Sequence, residues 1–113
     1  YIGAVYDPEK DIFEAFSRIA SGWTDEIMET LKNDVSELEI QNRHPDVICD
    51  DTPDVWLKPE IVIEIIGDDI TISDKFSSLG YSMRFPVFQR FRPEKGPKDV
   101  TTIEEIKNLY ETQ

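Results

Sequence analysis

Short runs of apolar, β-branched and aromatic residues, each cut off by proline, glycine or a cluster of acids, limit what this chain can fold into. "YIGAVYD" and "DIFEAFSRIA", separated by "PEK", read as strand, turn, strand. "DVWL" and "EIVIEIIGDDITIS" add further strands. Gly67-Asp68-Asp69 interrupts two β-branched runs, and Ile70 and Ile72 alternate with Thr71 and Ser73, which predicts a second hairpin. The run from Tyr81 to Arg92 is one more strand, with Pro86 as its irregularity. From Gln41 to Pro53 the apolar rhythm stops, and a loop is expected.

Two segments have helical spacing instead. In "SGWTDEIMETLKNDVSEL", Thr24 is the expected N-cap, Asp25 and Glu26 favour the helix dipole, and Ile27, Met28, Leu31, Val35 and Leu38 form an apolar stripe. In "TTIEEIKNLYETQ", Thr102 and Glu105 have capping-box spacing, ahead of the apolar face of Ile103, Ile106, Leu109 and Tyr110. Five or six short strands, an amphipathic helix after the second and a helix at the end predict a mainly β domain. A small Greek-key barrel of OB type is the expected fold, with an SH3-like barrel or an α+β sandwich as the alternatives. At 113 residues the chain suits one domain, residues 1–113, and its start inside an apolar run at Tyr1 suggests a piece of something longer.

Charge is distributed unevenly. The formal net charge is -12, yet residues 81–98 hold five Lys and Arg against one Glu, whereas residues 1–80 hold 6 Lys and Arg against 19 Asp and Glu. So acidic a body repels polyphosphate, which argues against a general single-strand-binding module with a basic groove across several strands. Any phosphate contact is expected in "RFPVFQRFRPEKGPK". Simple alternation places Arg84, Phe88, Arg90 and Arg92 on one face and Phe85, Val87, Gln89 and Phe91 on the other, toward the core. Three arginines on one face would make an anion platform, since guanidinium binds phosphate bidentately and stays charged, with Lys95 and Lys98 following in the loop. The other reading is a solvated face whose arginines pair with the acidic body.

Elsewhere the signals for chemistry are weak. "HPDVICDDTPD" gathers His44, Asp46, Cys49, Asp50, Asp51 and Asp54, but in no zinc or EF-hand spacing, so an acidic surface loop is expected and no metal. Cys49 is the single cysteine, which suits a reducing compartment. Trp23 and Trp56 read as core or interface anchors. No run approaches the roughly 20 apolar residues of a membrane span, and a soluble intracellular protein is expected. The chain lacks a glycine-rich phosphate loop, G-x-S-x-G, H-E-x-x-H and K-x-D-G, so no self-contained active site is expected.

"RFPVFQRFRPEK" resembles motif VI of ATP-dependent DNA ligases of the archaeal and eukaryotic replicative type, R-F-P-R-F-x-R-x-R-x-D-K. "GAVYD", "SGWTDE", "PDVWLKPEIVIEI", "DDITIS", "GYSMRFP" and "DVTTIEEIKNLYETQ" resemble further blocks of that family's C-terminal OB domain, in the same order. The resemblance implies a mobile domain joined to a nucleotidyltransferase domain. A lysine there takes AMP from ATP with Mg2+ assistance and passes it to the 5′-phosphate of nicked double-stranded DNA, in replication, repair and recombination. It implies that motif VI orients the β,γ-phosphates of ATP, with Arg92 and Lys95 matching R-x-D-K and Arg90 and Arg84 matching the earlier arginines. Phe85 matches an aromatic that meets the DNA minor groove, with Arg84 and Lys98 as neighbouring DNA contacts; a bulge at Pro86 would reconcile an outward Phe85 with the alternation that sends it to the core. Val87, Glu94 and Phe76 depart from the Arg, Asp and His usual in the family. The resemblance leaves a sliding clamp, engaged through other parts of the protein, as an open partner, and implies a cytoplasmic protein in a prokaryote or a nuclear one in a eukaryote. An mRNA-capping guanylyltransferase OB domain is the related alternative, against which the "SGWTDE" and "TTIEEI" blocks weigh.

Overall fold

The computed structural model describes residues 1–50, 55–73 and 79–113. Strands β1 (Ile2–Asp7) and β2 (Ile12–Arg18) form the expected antiparallel hairpin. Its turn is built by Asp7, whose Oδ1 accepts from the Glu9 and Lys10 amides at 3.0 and 3.4 Å, and by Asp11, left-handed at φ 54°. Helix α1 (Asp25–Val35) starts at Thr24, whose hydroxyl accepts from the Ile27 amide at 3.2 Å. Of its apolar stripe only Leu31 is fully buried, and Met28 is 38% exposed, so the helix is seated on the domain by little more than one turn.

The stretch expected to be a loop, Gln41 to Pro53, contains one short strand among its described residues, and a short strand lies on either side of it, the later one inside the expected "DVWL" run. Strand β3 (Glu39–Ile40) pairs antiparallel with β5 (Trp56–Leu57), and β4 (Val47–Ile48) runs parallel beside β2, with the Phe13 amide donating to Asp46 O at 2.7 Å. Strands β3 and β4 are two residues long, too short for an alternation to show in sequence, whereas β5 falls in the "DVWL" run.

The second hairpin was expected in the wrong place. Strand β6 (Ile63–Ile66) pairs not with β7 (Ile70–Ile72) but with β9 (Val87–Phe91), while β7 pairs with β8 (Tyr81–Met83), all antiparallel. Gly67-Asp68-Asp69 is a corner, held from outside: the Asp68 amide donates to Arg84 O at 2.9 Å and the Arg84 amide to Asp69 O at 2.8 Å. Gly67 lets Met83 pack close to this corner, since a Cβ would come within 2.3 Å of the Met83 side chain and force it to shift. The Tyr81–Arg92 run is correspondingly two strands, broken at Arg84–Pro86.

The core joins these sheets. Val5, Phe16, Ile70, Leu79 and Ile106 are buried together, with Tyr81, Met83, Ile103 and Tyr110 packed against them. Helix α2 (Ile103–Thr112) begins in the expected Thr102–Glu105 capping box and inserts Ile106, 2% exposed. At its end the Gln113 amide pairs with both backbone groups of Ile70, at 2.9 and 2.5 Å, and covers the free edge of β7. The result is a mainly β, OB-like domain. No helix among the described residues is long and apolar enough to cross a membrane.

Candidate functional site

Strand β9 and the turn after it carry the cationic segment, and their position is fixed from behind by aromatic packing. Phe88 is 3% exposed, stacked on Trp23 with ring centroids 4.2 Å apart and in edge contact with Phe91 at 5.1 Å. The Trp23 indole donates to Ile19 O at 3.0 Å. Ser21-Gly22 is laid along the strand, with the Phe88 amide donating to Ser21 O at 2.8 Å. Gly22 has φ 92°, and a Cβ there would lie 2.3 Å from Phe88 O, so only glycine permits this approach.

Alternation across the whole segment fails at two points. Phe85 has a left-handed backbone, φ 53°, and is 69% exposed rather than buried in the core. The phase is reversed by that residue itself and not by a bulge at Pro86. A bulge does occur, at Gln89: Ile65 pairs with Phe88 and Glu64 with Arg90, leaving Gln89 the extra, exposed residue. Phe88, expected outward, turns into the core because the phase is already reversed at Phe85.

The three arginines consequently do not share one face. Arg84 sits in the bend before β9, with its guanidinium 2.5 Å from Asp69 and 5.8 Å from the centre of the Phe85 ring. Arg90 and Arg92 converge instead on Glu64. Arg90 Nε donates to Glu64 Oε2 at 3.1 Å and its Nη2 to Oε1 at 3.4 Å; Arg92 Nη1 donates to the same Oε1 at 2.8 Å. Arg92 also donates from Nε to Glu94, and its amide is tied to Val62 O at 2.8 Å. Lys95 closes the turn through its amide, 3.1 Å from Arg92 O, and its exposed ammonium has no ion pair among the described residues. Arg92, Lys95 and Glu64 lie on the wall of a cleft of about 920 Å³.

Lys98 does not join this group. It pairs with Asp11 at 2.9 Å, and Asp11 also receives the Tyr6 hydroxyl, so the 3₁₀ turn Pro97–Asp99 is anchored to the first hairpin. The Tyr6 hydroxyl and the Lys98 ammonium hold the Asp11 carboxyl below its usual range, and Asp11 in turn raises Lys98. In the arginine cluster, Arg90 and then Arg92 hold Glu64 below the ordinary carboxylate range, and Arg92 does the same to Glu94. Glu94 raises Arg92 further. All these groups keep their charge near neutral pH.

The reading that the arginines pair with the acidic body is thus realised in part, through Glu64 and Asp69, while Glu94 pairs with Arg92 from within the basic segment. Glu64 and Asp69 are the residues that the basic segment alone did not reveal. A glutamate inside the β-branched run "EIVIEI" was the available signal. Elsewhere, His44 and Asp46 are 4.0 Å apart, Asp51 and Asp54 lie outside the described residues, and no three His, Cys, Asp or Glu come together as metal ligands among those described. With Glu64 and Glu94 committed to arginines, the described residues do not fit Mg2+. Phe76, one of the departures from the family pattern, also lies outside the described residues.

Comparison with known proteins gives the family of the chain. Residues 1–95 match the family described as ATP dependent DNA ligase C terminal region. The whole chain aligns with 20% of a DNA ligase of Acidianus ambivalens at 43% identity, and 97% of it with 20% of the DNA ligases of Staphylothermus marinus and Saccharolobus solfataricus at 39%. The chain thus spans 20% of the length of the curated relatives it matches. It belongs to the family of ATP-dependent DNA ligase C-terminal regions.

Proposed function

We propose that residues 1–113 are the single OB domain of a longer ATP-dependent ligase that seals nicks in duplex DNA through lysine-AMP and DNA-adenylate intermediates. The convergence of Arg90 and Arg92 on one carboxylate, with Lys95 beyond them free of any ion pair among the described residues, is the observation that carries this reading. Guanidinium groups that already share an anionic partner have the spacing to take the oxygens of a polyphosphate. Directed at the β,γ-phosphates of ATP, they would stabilise charge on the departing pyrophosphate and keep it in line with the attacking lysine of a neighbouring nucleotidyltransferase domain. Lysine adenylylation needs Mg2+, which that neighbouring domain would hold.

Phe85 and Arg84 form the second surface. An apolar ring held outward by strained backbone, with a cation beside it, suits insertion against the sugar edges of a duplex minor groove. Lys98 is held at the first hairpin by Asp11, whereas Arg84 lies against the Phe85 ring, so DNA contact is assigned first to Phe85 and Arg84. The two surfaces are separated by the Phe85 bend, which allows the domain to address ATP and DNA in turn.

The experiment is self-adenylylation of the full-length protein. Arg92→Ala and Lys95→Ala are expected to abolish or strongly slow AMP transfer to lysine, while enzyme supplied already adenylylated retains nick sealing. Unimpaired adenylylation in both variants would remove the phosphate-binding role.

A further inference from the structure

We infer that Glu64 is a positioning residue for the arginine pair, fixing Arg90 and Arg92 in the arrangement in which both can meet one polyphosphate. The inference rests on the nucleotide-phosphate reading above and adds to it a residue outside the cationic segment.

Glu64 is placed by the fold, not by its own flexibility. It sits on β6 directly opposite Arg90, at the point where the Gln89 bulge shifts the register of β9. Its two oxygens are divided between the arginines: Oε2 takes Arg90 Nε, and Oε1 takes both Arg90 Nη2 and Arg92 Nη1. Two nitrogens bonded to the same oxygen lie no more than about 6 Å apart, a separation at which two guanidinium charges repel each other unless an anion lies between them.

Glu94 cannot take over this task. It grips only Arg92, from two residues further along the same turn, and among the described residues only Glu64 holds the Arg90 side chain. Loss of the Glu64 carboxylate therefore releases Arg90 outright and leaves Arg92 turned toward Glu94. With Glu64 in place, Arg90 Nη1 and Arg92 Nη2 have no acceptor among the described residues. Those are the donors left to receive phosphate oxygens. The lowered carboxyl of Glu64 keeps the anion present at neutral pH.

Single-turnover adenylylation of the full-length protein, measured across ATP concentrations at fixed excess Mg2+, tests this. Glu64→Ala and Glu64→Gln are expected to lower the maximal rate about 10- to 100-fold, the scale of a misplaced catalytic contact, with a smaller change in half-saturating ATP. Glu64→Asp, which keeps the charge, is expected to recover part of the loss. In an Arg90→Ala/Arg92→Ala background, followed over hours, Glu64→Ala is expected to change nothing further, because a residue acting only through the arginines has nothing left to position.

A normal rate in Glu64→Ala alongside a slow Arg92→Ala would overturn the inference and leave the phosphate reading intact. So would tighter ATP use at an unchanged maximal rate, which would make Glu64 a competitor of the nucleotide. An equal loss in the doubly substituted background would reduce Glu64 to a structural role. A fast Arg92→Ala would instead bring down the phosphate reading, and this inference with it. Should Glu64→Ala fail to fold, Glu64→Gln keeps the side-chain volume and carries the same test.

Discussion

Arg84 and Asp69 are joined twice, by the Arg84 amide to Asp69 O at 2.8 Å and by the Arg84 guanidinium to the Asp69 carboxylate at 2.5 Å. The backbone bond closes the corner between β6 and β7, and the side-chain pair fixes the last residue before Phe85. An exposed ion pair of this kind contributes at most about 1 kcal/mol. Asp69→Ala is therefore expected to lower folding stability by less than about 1 kcal/mol in urea unfolding. Its larger effect should fall on nick sealing by pre-adenylylated enzyme, since Arg84 is then free to leave the Phe85 ring.

Phe85 itself is held against its own preference. A left-handed backbone costs a residue with a side chain about 1–2 kcal/mol relative to its ordinary conformations. Phe85→Gly is expected to raise stability by up to about 1 kcal/mol, part of the relief being offset by the greater freedom of glycine in the unfolded chain. The same variant is expected to bind nicked duplex more weakly. Gain of stability with loss of DNA binding, read by thermal unfolding and by gel-shift titration, would mark the strain as serving function. Loss of both would indicate that the ring packs on the domain.

Behind the arginines, the contact of Gly22 with Phe88 sets the position of β9. Gly22→Ala forces a Cβ to within 2.3 Å of Phe88 O at φ 92° and is expected to cost more than about 2 kcal/mol. Phe88→Ala leaves a cavity under Trp23 and should cost about 3–5 kcal/mol. Denaturant unfolding of the domain measures both, and adenylylation should fall with them, because the cationic strand loses its backing.

The regular elements were legible because their signals are local. The β1–β2 hairpin, the Thr24 cap and the Thr102–Glu105 box each depend on residues a few positions apart, and sequence spacing reports such relations directly. The partner of β6 is not local: the corner at Gly67 is closed by Arg84, so a turn-like Gly-Asp-Asp looked like a hairpin although both its strands pair elsewhere. Phe85 precedes a proline, a position that favours extended backbone, so residue type pointed away from the left-handed state observed. The segment was recognisable as cationic from its composition, and Phe85, which alternation sent to the core and the resemblance to the DNA, lies exposed. Which arginines meet, and on what, depended on the Gln89 bulge and on Glu64 in another strand. The partner of Lys98 likewise lies 87 residues away, at Asp11.

Acid should loosen the arginine cluster before it unfolds the core. The folded-state pKa values of Glu64, Glu94 and Asp11 are depressed, so their contributions to stability are full above the ordinary carboxylate values of 4.5 and 3.8 and are lost as pH falls through the lower folded values. Lys98 has the opposite sign: its contribution is full below its ordinary value of 10.5 and is lost as pH rises through the raised one. The melting temperature is expected to fall below about pH 4.5 in the parent domain and to fall less steeply in Glu64→Gln. Parallel profiles for the two would show that Glu64 carries none of the acid dependence.

Separation of the two surfaces is the central claim, and one paired measurement addresses it most directly. Full-length protein with Arg92→Ala and with Phe85→Ala is assayed for AMP transfer to its own lysine and, after adenylylation is supplied, for sealing of a nicked duplex. The account predicts a crossed result: Arg92→Ala fails in the first assay and retains the second, while Phe85→Ala retains the first and is impaired in the second. Equal losses in both assays for both variants would contradict it.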